Sequence, residues 1–207
     1  MNIPGNRTNT ARQAARLGAT AAEWQKVLDR NLSQTLYNTV AFVEAALADR
    51  YGMETPERFE EAAQAVKVTN DAFRWECSGL GVGRAVEALR QQTAPVLARG
   101  TAVYPRKRLP KSRKERELLE SRMMGAEIGL RVCLRGLKTL PWLDGGPAGA
   151  AVILGEVRES WEQFLQAAQD GGEGAAYEML RRKLRQVHGC EVELVQEEEA
   201  PVYVAEW

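Results

Sequence analysis

A chain of 207 residues that is 44% hydrophobic and 27% charged is long enough to close one well-packed core and needs no second domain. Lysine plus arginine and aspartate plus glutamate stand at 28 each, so no global field draws the protein to nucleic acid or to a membrane surface. No apolar run approaches the roughly 20 residues that span a bilayer, which excludes an integral helical membrane protein.

The first 18 residues lack the apolar core of a secretory signal, so the expected compartment is cytoplasmic, with reduced thiols. Cys77, Cys133 and Cys190 are odd in number, widely spaced and outside any CxxC pair. That pattern argues against a disulfide framework and against a structural metal, and no cofactor is expected.

Residues 1–10 are polar, with Pro4 and Gly5, and residues 11–17 suit a short basic turn of helix. From Thr20 the pattern strengthens. Thr20-Ala21-Ala22-Glu23 fits a capping box, and Trp24, Leu28, Leu32, Leu36, Val40, Val43, Leu47 and Tyr51 recur at steps of three or four. A second segment carries the same spacing at Phe59, Ala62, Ala63, Val66 and Phe73. Between them Gly52 suits a helix end, and Thr55-Pro56-Glu57 supplies a cap, a first-turn proline and an acid. The spacing predicts two antiparallel helices that cover each other, with the apolar run 40–47 contacted from further sides.

Gly79, Gly81 and Gly83 break the second helix and start a third near Val82, with Val86, Leu89 and Val96 inward and Pro95 placed late to kink or end it. The GLGVG run superficially resembles a phosphate-cradling loop, but a helix precedes it where a buried strand would be needed. It reads as a helix–helix turn. Ala98 to Lys111, with Gly100, Pro105 and Pro110, reads as an extended, exposed linker.

Ser112-Arg113-Lys114-Glu115 is a second capping box, followed by Leu119, Met123, Leu130, Leu134 and Leu137 until Pro141 stops the helix. Pro147 opens a fifth helix with Ile153, Val157, Trp161, Phe164 and Ala168 inward. A sixth, from about Glu173 to Val187, turns Tyr177, Leu180, Leu184 and Val187 inward. After Gly189 the period becomes two, and residues 190–207 read as a β-hairpin. The expectation is therefore mainly α: a bundle of about six helices built on a long antiparallel helical hairpin, with a small C-terminal β-hairpin. Its parts are 1–97 (hairpin and third helix), 98–111 (basic Pro/Gly linker) and 112–207 (remaining helices and β-hairpin), together one compact unit.

His188, the only histidine, sits at a predicted helix end, where it suits the negative end of the dipole better than a pair with Cys190. The carboxylates of Glu60-Glu61 and Glu197 to Glu199 fall on solvent faces or turns. No catalytic constellation is legible. The most distinctive local feature is residues 106–116, with seven basic residues against one acid. Arg106, Lys107, Arg108, Lys111, Arg113 and Lys114 could contact phosphates, with Tyr104 placed to stack on a base. At the chain end Val202, Tyr203, Val204 and Trp207 put two large aromatics on a short sheet edge, a candidate site for a protein partner or a second copy.

The segment AALADRYGMETPERFEEAAQAV, through Tyr51, Gly52, Arg58 and Phe59, resembles the helical hairpin of small uncharacterised proteins from phages and conjugative elements of Gram-positive bacteria. Glu54 or Thr55 stands where that pattern has a second glycine. The resemblance implies a mobile-element origin and no activity. The expected function is accordingly a non-catalytic interaction or regulatory protein that binds and modulates a host protein machine. Nucleic-acid binding through residues 104–116 is the alternative, and an enzyme of unrecognised type the third.

Overall fold

The computed structural model describes residues 21–52, 55–104 and 110–188. Among the described residues the protein is mainly helical, with six α-helices: α1 (Ala21–Leu47), α2 (Pro56–Leu80), α3 (Val82–Thr93), α4 (Arg113–Leu137), α5 (Pro147–Gly171) and α6 (Glu173–His188). The capping threonine Thr20, the turn of helix at 11–17 and the C-terminal β-hairpin lie outside the described residues.

Local chemistry sets most helix ends. The Ser112 side chain accepts from Glu115 N while the Glu115 carboxylate accepts from Ser112 N, a complete capping box at the start of α4. Pro56 and Pro147 occupy first-turn positions of α2 and α5, where a missing N–H costs nothing. At its other end α1 passes into a π-turn, Ala48–Gly52. That turn is held to the C-terminal helices, because Arg50 bonds Glu156 of α5 at 2.9 Å and Asp49 pairs with Lys183 of α6.

The two helices of the expected hairpin are present but packed differently, and Met53 and Glu54 of their expected turn lie outside the described residues. Beyond their shared turn α1 and α2 barely meet, and α4 lies against both. The cause is small residues on α4. A Cβ at Gly125 would collide with the Leu32 carbonyl of α1, one at Gly129 would stand 2.8 Å from the Leu36 carbonyl, and one at Gly136 2.7 Å from Ala65 O of α2. Backbone therefore rests on backbone.

This approach also turns α1 away from its leucine stripe. Leu28, Leu32, Leu36 and Val40 are only half-buried, whereas Asn31, Gln34, Thr35 and Thr39 are buried. The C-terminal half behaves as expected: Ala41, Phe42, Val43, Ala45, Ala46 and Leu47 are buried together. Phe42 lies edge-on to Trp161 and to Phe164 of α5, each at 5.3 Å between ring centres, and Phe164 meets Tyr177 of α6 at 5.1 Å. Each such pair adds about 0.5–1.5 kcal/mol beyond area burial.

The segment after α3 is not the exposed spacer its prolines suggest. Leu97, Val103 and Tyr104 are buried, and arginines from two helices hold the backbone between them. Arg131 of α4 donates to Leu97 O and Ala98 O, both at 3.2 Å, and Arg158 of α5 donates to Ala102 O and Val103 O at 2.6 and 3.0 Å. The helices before and after this segment interleave, since the most extensive helix pairing is α1 with α4.

Candidate interaction surface

The structure separates the residues of the basic segment. Tyr104 is 4% exposed: its ring packs on Trp161 at 4.6 Å and its hydroxyl lies 3.1 Å from Thr39 Oγ1. Burial pushes the phenol well above its ordinary pKa, only partly offset by the Thr39 hydrogen bond. Tyr104 is a core residue and is not placed to stack on a base. Arg113 donates to Glu117 at 2.7 Å, and Lys114 lies over the Trp24 ring at 5.2 Å. Trp24 in turn donates to Glu117 at 2.6 Å, so these groups dock the start of α4 onto α1. Lys111 is exposed. Arg106, Lys107 and Arg108 lie outside the described residues, as do Val202, Tyr203, Val204 and Trp207.

A cavity of about 210 Å³ opens between α3, α4 and the segment 100–104, lined by Arg90, Tyr104, Glu120, Met123, Met124 and Glu127 among others. This is below the roughly 300–1,000 Å³ of small-molecule sites. Two of its ionic groups, Arg90 and Glu127, are committed to each other. Arg90 grips Glu127 with Nε and Nη2 at 3.2 and 2.8 Å, and Glu127 accepts from Arg131 at 2.9 Å. Arg131, whose side chain is 2% exposed, spends its remaining donors on Thr93 Oγ1 and the two backbone carbonyls. Burial alone would raise the Glu127 pKa, but the hydrogen bonds and charges of Arg90 and Arg131 outweigh it and hold it below the ordinary carboxylate value. The network anchors the loop after α3.

The outer face of α2 is different. Phe59, Ala62, Val66 and Phe73 fill its inner face, and Trp75, two residues past Phe73, falls about 200° around the helix. It is 81% exposed. Val68, 56% exposed, stands on the same outer face one seven-residue step earlier, with exposed Ala72 between them. The helix then ends at an elbow where Leu80 and Val82 are also more than half exposed.

The scaffold beneath this face is fixed. Gly81 joins α2 to α3 with φ +82°, a left-handed backbone that suits glycine, whereas a Cβ at Gly79 or Gly83 would meet nothing. Inside the elbow Phe73 packs with Ala85, Val86 and Leu89 of α3 and Ile128 and Val132 of α4. Arg135 clamps the three helices, donating to both Glu76 oxygens at 3.1 and 3.0 Å, to Thr69 O and to Gln92 Oε1. Trp75 thus projects from a helix whose two neighbouring turns are tied down.

Reading the sequence for surface aromatics near the chain end passed over this tryptophan. The signal was its phase: in DAFRWEC, Phe73 continues the apolar stripe, so Trp75 cannot. No protein-family model, no curated protein and no solved structure matches the chain.

Proposed function

We propose that this is a non-catalytic interaction protein that docks a protein partner on the outer face of α2, with Trp75 as the anchor. The observation that carries the reading is the 81% exposure of Trp75 on a helix whose inner side is clamped by Arg135 and the Phe73 cluster. Tryptophan is the residue type most enriched among interface hot spots, where truncation commonly costs about 2 kcal/mol or more. A preformed helix face loses little conformational entropy on binding.

The resemblance at Tyr51, Gly52, Arg58 and Phe59 supports a setting in a phage or conjugative element, and regulation of a host protein machine is the role we assign there. The internal charges support binding over chemistry, since Glu127, Arg90 and Arg131 are engaged with one another and with the loop after α3. Nucleic-acid binding would have to rest on Arg106, Lys107, Arg108 and Lys111, without Tyr104. The test is affinity capture from a Gram-positive host with the parent and with Trp75→Ala. Loss of a specific partner in the variant, at unchanged melting temperature, is expected. Equal capture by both chains would remove the α2 face from the reading.

A further inference from the structure

We draw no further inference here: the strongest candidate, the exposed apolar patch of Trp75 and Val68 on the outer face of α2, carries nothing beyond the docking reading because nothing in the structure shows what covers it.

Discussion

Between Asn31 and Thr39, α1 turns amides and hydroxyls inward; between Ala41 and Ala48 it turns inward alanines, Phe42, Val43 and Leu47. The two halves belong to one helix and meet different neighbours. The first is pressed against the glycines of α4, and the second against the aromatic rings of α5. Where backbone touches backbone, short side chains with local hydrogen bonds fit better than leucine. Thr35 and Thr39 donate to carbonyls four residues back, each at 2.8 Å, and Asn31 accepts from Arg122 while donating to Leu118 O. Among the described residues, Gln34 Oε1 alone is a buried side-chain polar atom lacking such a bond. The interior of α1 is thus specified by hydrogen-bond geometry at one end and by volume at the other.

The largest effect should come from charging the two halves separately. Val43 is fully buried in the aromatic half, so Val43→Asp should cost about 4 kcal/mol or more and leave little folded protein. Leu36 belongs to the predicted stripe yet is only half-buried, and its Asp variant can reach water. We expect Leu36→Asp to cost about 1–2 kcal/mol in urea unfolding. Equal losses at the two positions would mean that the leucine stripe is a core face after all.

This contrast shows what the sequence could and could not convey. Period and caps identified α4 through its Ser112 box, α5 through Pro147, the inward faces of both helices, and Tyr177, Leu180 and Leu184 on that of α6. Those signals are local. Helical period does not say which helix covers which face, and the apolar stripes of α1 and α2 suggested mutual burial when α4 separates them. The clue lay in Gly125, Gly129 and Gly136, spaced four and seven apart in a helix that otherwise favours long side chains. Tyr104 was misplaced for a related reason: neighbouring prolines and charges implied solvent, but buried Arg131 and part-buried Arg158 supply donors that draw the segment inward. Nothing in residues 98–104 alone encodes those donors. The Trp75 face was legible in phase but needed the filled inner face of α2 to give it meaning.

Glycine replacement should sharpen the comparison next, because it predicts opposite signs. In a helix interior alanine is better than glycine by up to about 1 kcal/mol. At Gly155 of α5 an added Cβ meets nothing within 4 Å, so Gly155→Ala should raise stability by a few tenths to about 1 kcal/mol. At Gly125 the Cβ would collide with the Leu32 carbonyl, and the two helices must part. Gly125→Ala should cost about 3 kcal/mol despite its better propensity. A stabilised Gly125→Ala would show that α1 and α4 do not approach so closely.

The last effect expected is one of pH, and it distinguishes the ionic side of α4 from the aromatic side of the molecule. Glu127 accepts from Arg90 and Arg131, and its folded pKa lies below the unfolded value of about 4.3. A depressed carboxylate contributes stability that is present above the unfolded pKa and is lost as pH falls through the folded one. The parent should therefore lose stability on acidification from about pH 5 toward pH 3, part of it through this group. Glu127→Gln cannot titrate there. It should be less stable at pH 7 by about 1–2 kcal/mol, since two arginines lose their shared acceptor charge, yet show a shallower acid slope than the parent. Trp161→Phe, placed among the rings around Phe42, removes packing but no proton, so its stability should run below and parallel to the parental curve. Thermal melts at half-unit pH steps compare the three chains. If the slope of Glu127→Gln matches that of the parent, the Arg90–Glu127–Arg131 network holds the loop after α3 by geometry without a net preference for the ionised carboxylate.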